Sequence, residues 1–159
     1  MKRLIELTVN GETRELVVEP QTTLVEALRG PLGLTGTKEA CGTGECGSCT
    51  ILIDGKPILS CLTLAVDCQN QEILTIEGMA EGDRLTPVQQ AFHESGAIQC
   101  GFCTPGMVLS TTALLEENTR PSQEEIIKAL EGHLCRCTGY NKIIEAVNKA
   151  ANQTASKQM

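Results

Sequence analysis

The stretch Cys41–Cys61 opens with CGTGECGSC and places a fourth cysteine after eleven further residues, giving the spacing C-x4-C-x2-C-x11-C. Three cysteines within nine residues cannot all form disulfides of acceptable geometry, but their thiolates can converge on one metal centre. Glycines at positions 42, 44 and 47 separate them. Glycine allows the turns with φ > 0 and the close backbone approach that a loop around a metal centre needs. Amide N–H groups of such a loop can point at sulfur and stabilise its negative charge. The stretch therefore predicts a metal–thiolate site.

The first three of these cysteines have the C-x4-C-x2-C spacing of plant-type [2Fe–2S] proteins, which favours iron. Four more cysteines follow, as Cys100-x2-Cys103 and Cys135-x-Cys137, and each pair precedes a predicted helix. Free N–H groups and the positive end of the dipole at a helix N-terminus stabilise an anionic centre. The sequence therefore predicts a second site with four thiolates.

A structural zinc site is the alternative for the second set, because zinc is also tetrahedral and accepts four cysteines. Zinc would only cross-link the fold, whereas two redox centres in one short chain predict an electron path.

Cys68 belongs to neither set, and we predict that it packs as a small buried hydrophobe. Eight well-spaced cysteines leave no need for a Rieske centre, so His93 and His133 are predicted to have structural or surface roles.

The chain has 159 residues, nine cysteines, no tryptophan and a net charge of −7. Two small domains of this composition would be marginally stable by packing alone, and metal sites commonly compensate for that. The acidic charge argues against nucleic-acid binding, which needs a basic surface. The start MKRLIELTVN lacks the apolar segment of a signal peptide, and no apolar run approaches the roughly 18 residues of a membrane span. We therefore expect reduced cysteines in a cytoplasmic protein.

The first half of the chain shows the short alternating segments of a small α+β domain, which we assign to residues 1–77. Asn10-Gly11 predicts a type I′ hairpin, and Thr22 or Thr23 predicts the cap of a short helix. Strands are predicted at 2–9, around Leu16 and Val18, at Thr50–Ile53, at Ile58–Leu64 with Cys61 in it, and at Glu72–Ile76.

The second half is predicted to be helical. Residues 78–84 are polar and contain glycine, which indicates a linker. Residues 85–152 carry apolar positions at intervals of three and four, and they predict a bundle of four helices. Helix starts are predicted at Thr86-Pro87, Thr104-Pro105, Ser122 and Thr138. Residues 153–159 are predicted to form a flexible polar tail.

In the motifs CGTGECGSCT, QCGFCTPGM and LCRCTGY, the chain resembles the two-cluster iron–sulfur subunit of the molybdenum hydroxylases. This is the family of xanthine dehydrogenase, aldehyde oxidoreductase and carbon monoxide dehydrogenase. The likeness covers roughly residues 3–150. The gap of eleven residues before Cys61 is shorter than in free plant ferredoxins and agrees with the family. The resemblance implies a ferredoxin-like β-grasp domain followed by a four-helix bundle, which is an α+β fold.

The resemblance also implies the roles of individual residues. The outer [2Fe–2S] cluster, beside a flavin, would take Cys41, Cys46, Cys49 and Cys61. The inner cluster, beside the molybdenum cofactor, would take Cys100, Cys103, Cys135 and Cys137. Gln99 and Cys137 match positions that contact the pterin in relatives, and Gly44, Glu45 and Gly47 match the loop that faces the flavin.

The implied function is electron transfer, with no catalytic residue on this chain. A large subunit with molybdopterin would hydroxylate a purine, an aldehyde, an N-heterocycle or a related substrate. Electrons would then pass through both clusters to FAD on a medium subunit. Members of the family usually assemble as a dimer of heterotrimers. The alternatives are a free-standing electron carrier of the ferredoxin type with two clusters, and an interaction module whose fold is stabilised by zinc.

Overall fold

The computed structural model describes residues 1–157, and within that range the chain contains five strands and five α-helices. The strands are β1 (Arg3–Val9), β2 (Glu12–Val18), β3 (Thr50–Ile53), β4 (Lys56–Leu59) and β5 (Glu72–Leu74). The helices are α1 (Leu24–Arg29), α2 (Pro87–Glu94), α3 (Thr104–Glu117), α4 (Gln123–Leu130) and α5 (Asn141–Lys157). The fold is therefore mixed α+β, as predicted from the sequence.

The strands form one sheet in the order β2-β1-β5-β3-β4. Strands β1 and β2 are antiparallel and joined by the predicted Asn10-Gly11 turn, where φ is 54° and 77°. Both central residues of a type I′ turn need positive φ, which Asn and Gly tolerate best. Strand β1 also pairs in parallel with β5, which in turn pairs antiparallel with β3. The last strand in sequence, β5, therefore lies at the centre of the sheet and joins the β1–β2 pair to the β3–β4 pair.

Two large clusters of buried side chains stabilise the chain, and a small third one contains Val25, Cys49 and Cys61. The first lies between the sheet and α1 and includes Leu7, Leu24, Leu28, Ile51 and Ile73. The second lies among α2–α5 and includes Phe92, Met107, Leu109, Ile126 and Ile143. Leu52 points from β3 into the second cluster, because adjacent residues of a strand face opposite sides of the sheet. The sheet and the helices thus pack directly on each other through β3.

Three helices begin at predicted caps, and each cap is a capping box, in which a hydroxyl and a side chain three residues later satisfy each other's backbone N–H groups. These pairs are Thr23 with Glu26, Thr86 with Gln89, and Ser122 with Glu125. The caps place the starts of α1, α2 and α4 where the sequence predicted them.

The predicted strand Ile58–Leu64 is wrong in its second half. Strand β4 ends at Leu59, and Cys61 lies in a 3-10 turn over Ser60–Leu62. The hydroxyl of Ser60 donates to the carbonyl oxygen of Cys49 at 2.6 Å, and that of Thr63 donates to the carbonyl of Leu59 at 3.0 Å. The bond of Thr63 is local, that of Ser60 reaches the residue before β3, and together they replace the ladder of a strand. They bring Cys61 back beside Cys49.

Both ends of the last helix differ from the prediction. Helix α5 begins at Asn141 and not at Thr138, because Tyr140 has φ of 65°, which a right-handed helix excludes. At the other end, residues 153–157 continue the helix, so they are not a separate tail. The run from Ala150 contains good helix formers and neither glycine nor proline. Residues 158 and 159 of the predicted tail lie outside the described residues.

None of the helices in residues 1–157 combines the length and the apolar character needed to cross a membrane.

The predicted strand at Glu72–Ile76 is too long, since β5 ends at Leu74 and a 3-10 turn follows over Ile76–Gly78.

Candidate metal centres

The first four predicted ligands lie close together. Cys41, Cys46 and Cys49 come from the loop between α1 and β3, and Cys61 comes from the turn after β4. The thiol of Cys41 contacts that of Cys46, and the thiol of Cys61 contacts that of Cys49. Cys49 and Cys61 are buried, whereas Cys41 and Cys46 are half-buried. The site thus consists of a buried pair of thiols and a half-buried pair.

Backbone amides of the loop point at these sulfurs. The N–H of Thr43 donates to Sγ of Cys41 at 3.4 Å, and this bond is the main reason that the pKa of Cys41 falls to about 6. The amide of Gly44 also donates to Cys61, but burial dominates there and raises the pKa of that thiol to about 11. The buried thiol must lose its proton when a metal binds, and the amides stabilise the resulting charge.

The second four predicted ligands also converge. Cys103 is the N-cap of α3 and Cys100 precedes it, while Cys135 and Cys137 lie in the segment between α4 and α5. Sγ of Cys137 lies 3.4 Å from Sγ of Cys100, and the thiol of Cys103 contacts that of Cys135. Burial raises the pKa of Cys103 to about 12, whereas Cys100 and Cys137 are exposed. This site thus has a half-buried pair, Cys103 and Cys135, and an exposed pair, Cys100 and Cys137.

Thr138, predicted as a helix start, lies instead before α5 and contacts a predicted ligand. Its hydroxyl donates to Sγ of Cys135 at 3.0 Å, and its backbone N–H donates to the same sulfur at 3.3 Å. Burial opposes ionisation of Cys135, but the bonds from Thr138 outweigh it and lower the pKa of this thiol. The backbone N–H of Cys135 donates to Tyr140 Oη at 2.8 Å. Thr138 of the CTGY sequence thus supplies two local donors to the thiol of Cys135. The spacing of the cysteines alone does not indicate these bonds.

We expect Thr138→Val to lower the reduction potential of the inner cluster, because hydrogen bonds to sulfur stabilise the more negative reduced state. Loss of one bond should shift the potential by roughly 30–60 mV, about three- to tenfold in a one-electron equilibrium. A redox titration followed by electron paramagnetic resonance (EPR) measures the shift. Thr138→Ser keeps the hydroxyl and should retain the original potential. An equal shift in both variants would contradict this role.

The donor sets fit [2Fe–2S] clusters. The eight thiols lie in four pairs, which are Cys41 with Cys46, Cys49 with Cys61, Cys100 with Cys137, and Cys103 with Cys135. A [2Fe–2S] cluster takes four cysteines, two at each iron, so paired thiols with amides directed at them suit it.

The histidines do not join either set. His93 is exposed on α2, and His133 is buried with Nε2 near the hydroxyls of Thr50 and Ser110. Cys68 is buried in the first hydrophobic cluster, where burial raises its pKa to about 11. Its Sγ lies 3.4 Å from the carbonyl oxygen of Leu64. Cys68 therefore packs as a small apolar residue, as predicted.

The two sites are neighbours in the fold. The backbone N–H of Leu134, one residue before Cys135, donates to the carbonyl oxygen of Cys46 at 3.0 Å. A cavity of about 530 Å³ is lined by Cys46 and by all four cysteines of the second site, together with Phe102 and Arg136. One hydrogen bond therefore connects a ligand-bearing loop of the first site to that of the second.

The residues predicted to face partners differ in their exposure. Gln99 is exposed beside the exposed Cys100 and Cys137, and Glu45 is exposed beside the half-buried Gly44. Gly47 corrects the prediction, because it is buried and faces the chain itself rather than the surface. A Cβ atom at Gly47 would lie 2.5 Å from the carbonyl oxygen of Gly132. Gly47 therefore serves close backbone packing within the chain.

Two family models match the chain in succession. The family of "2Fe-2S iron-sulfur cluster binding domain" matches residues 7–86, and the "[2Fe-2S] binding domain" family matches residues 75–148. Together with the two sets of four thiols, these matches define the class of the protein. It is an iron–sulfur protein with two [2Fe–2S] clusters.

Relatives with established names define the family more closely. The nicotinate dehydrogenase small FeS subunit of Eubacterium barkeri is 48% identical over 155 residues, which cover 98% of this chain and 99% of the relative. The xanthine dehydrogenase iron-sulfur-binding subunit of Escherichia coli O157:H7 is 49% identical over 148 residues, covering 90% and 91%. The crystal structure of quinoline 2-oxidoreductase from Pseudomonas putida 86 matches with a TM-score of 0.93 at 46% identity, covering 99% of both chains.

The chain belongs to the small iron–sulfur subunits of the molybdenum hydroxylases, as the resemblance of its cysteine motifs predicted. It is an electron-transfer subunit of a molybdenum-containing oxidoreductase.

Proposed function

We propose that this chain relays electrons between a molybdopterin cofactor on a large subunit and FAD on a medium subunit. Cys41, Cys46, Cys49 and Cys61 would hold the outer cluster, and Cys100, Cys103, Cys135 and Cys137 the inner one. When bound, the clusters supply two one-electron redox centres. The observation that carries the proposal is the hydrogen bond from the N–H of Leu134 to the carbonyl of Cys46, which connects the two ligand loops.

The exposed side of the inner site is suited to meet a partner. Cys100 and Cys137 are exposed, and the apolar side chains of Phe102 and Leu134 beside them are 43% and 60% exposed. Exposed apolar groups next to ligands favour a docked subunit over a free-standing carrier. Gln99 and Cys137 would lie at the pterin, where an amide can both donate and accept hydrogen bonds. Gly44 and Glu45 would lie near the flavin.

The layout that we propose has a ferredoxin-like β-grasp domain in residues 1–77, a linker in 78–84 and a helical domain from residue 85 to the end of α5 at residue 157. The hydrophobic clusters of the sheet and of the helices, which meet at Leu52 of β3, support this division. The complete enzyme would be a dimer of heterotrimers in the cytoplasm, where nine free cysteines stay reduced. The relatives are named for nicotinate, xanthine and quinoline. We therefore propose a purine, an N-heterocycle, an aldehyde or a related substrate, which the large subunit would recognise.

Iron analysis and spectroscopy of the purified protein test the proposal. We expect roughly four irons and four acid-labile sulfides per chain, and two distinguishable [2Fe–2S] signals by EPR after reduction. Molybdenum and FAD should copurify with the chain when it is isolated from its source. A colourless protein that contains zinc and no labile sulfide would contradict the assignment of both sites. A complex with both clusters but without molybdenum or flavin would contradict the partners.

A further inference from the structure

His133 lies at the junction of three segments that carry ligands. It is 8% exposed and sits two residues before Cys135. Its ring Nε2 lies 3.2 Å from Oγ1 of Thr50, the residue after Cys49, and 3.0 Å from Oγ of Ser110. Ser110 belongs to α3, whose N-cap is Cys103. One side chain thus contacts α3 and the first residue of β3, which directly follows the outer loop (residues 41–49), and its own segment carries Cys135 and Cys137.

The backbones around this ring leave no space for other side chains. A Cβ atom at Gly47 would lie 2.9 Å from Cδ2 of His133, and one at Gly106 would lie 3.4 Å from the same atom. The same added atom at Gly106 would lie 2.5 Å from the carbonyl oxygen of Gly47. Glycines on both sides therefore let the ring fill the junction in contact with the outer loop and α3.

Nε2 of His133 lies between two hydroxyls from different segments. The hydroxyl of Thr50 also donates to the carbonyl oxygen of Gly47 at 2.7 Å, so it links the ring to the backbone beside Cys46 and Cys49. The hydroxyl of Ser110 links the ring to α3. Both links hold whichever ring nitrogen carries the proton.

We propose that His133 is a positioning residue that sets the separation and relative orientation of the two clusters. The inference rests on the proposed assignment of the eight ligands. The ring anchors its segment to Thr50 and Ser110, and the next residue, Leu134, then donates to the carbonyl of Cys46 at 3.0 Å. The ring thus adds two side-chain hydrogen bonds to that backbone bond and to the close packing of Gly47 against Gly132.

The magnetic interaction between the two reduced clusters tests this role, because dipolar coupling falls with the cube of their separation. The holoenzyme is reduced and its EPR spectrum is recorded at low temperature for the wild type, His133→Leu and His133→Gln. We expect His133→Leu to retain its iron and lose the resolved splitting. Glutamine keeps an N–H donor near the position of Nε2, so His133→Gln should retain the splitting. His93→Leu is the matched control, since His93 is exposed on α2.

An unchanged splitting in His133→Leu, with only a lower melting temperature, would overturn the proposal and leave a purely structural role. If His133→Leu loses iron, Thr50→Val decides the question, because it removes the hydroxyl that bonds to the ring and keeps the histidine. A changed splitting in Thr50→Val supports the proposal, and an unchanged splitting overturns it. If the wild type lacks two [2Fe–2S] signals, the assignment of the ligands fails first, which distinguishes the two failures.

Discussion

Replacement of Cys103 by alanine is expected to remove the inner cluster and to leave the outer one intact. Cys103 is the N-cap of α3 and its thiol contacts that of Cys135, so its loss leaves three thiolates at that site. A [2Fe–2S] cluster needs four ligands, and the iron content should fall from roughly four to roughly two per chain. Electron delivery from substrate to FAD should fall to background. Iron analysis, EPR and rapid-mixing reduction of the flavin measure these effects.

Two further cysteine variants make this result specific. Cys46→Ala should remove the outer signal and retain the inner one, which is the converse pattern. Cys68→Ala is the control, because Cys68 is buried in the first hydrophobic cluster away from both sites, and all iron should remain. Retention of both signals in Cys103→Ala would exclude it as a ligand. Loss of both signals in every variant would indicate a failure to fold.

Gly47→Ala is expected to have the largest effect on stability among the glycine variants. Gly47 has φ of 69°, which costs alanine about 1–2 kcal/mol. The added Cβ would also lie 2.5 Å from the carbonyl oxygen of Gly132, and that backbone atom cannot rotate away. Separating the two segments adds an overpacking cost, for a total of about 3 kcal/mol. We expect a lower melting temperature and faster loss of iron, measured by thermal denaturation and by the decay of visible absorbance.

Gly42→Ala is the matched control for this variant. Gly42 lies in the same loop with φ of 64°, but an added Cβ would meet nothing within 4 Å. Only the backbone cost of about 1–2 kcal/mol remains. Equal losses of stability in the two variants would show that backbone conformation, and not the contact with Gly132, limits this position.

Local features of the chain could be predicted because they depend on neighbouring residues. The Asn10-Gly11 turn and the capping boxes at Thr23, Thr86 and Ser122 each need only four or five residues in sequence. The cysteine motifs likewise indicate thiolate sites by their own spacing. Errors arose where a side chain or a backbone angle outweighed hydrophobic periodicity. Ser60 and Thr63 ended the strand before Cys61, and the positive φ of Tyr140 delayed the last helix.

The sequence by itself determined the α+β class, the two sets of four cysteines and the family, because spacing and periodicity record them directly. Only the tertiary structure showed that Leu134 joins the two sites through the carbonyl of Cys46, that His133 fills the junction and that Gly47 faces inward. These contacts connect residues 46–50 with residues 132–134, more than 80 positions apart. No local pattern specifies such a pairing, since it depends on how β3 and α3 pack. The opening CGTGECGSC loop is therefore both a set of ligands and the surface on which the second site is positioned.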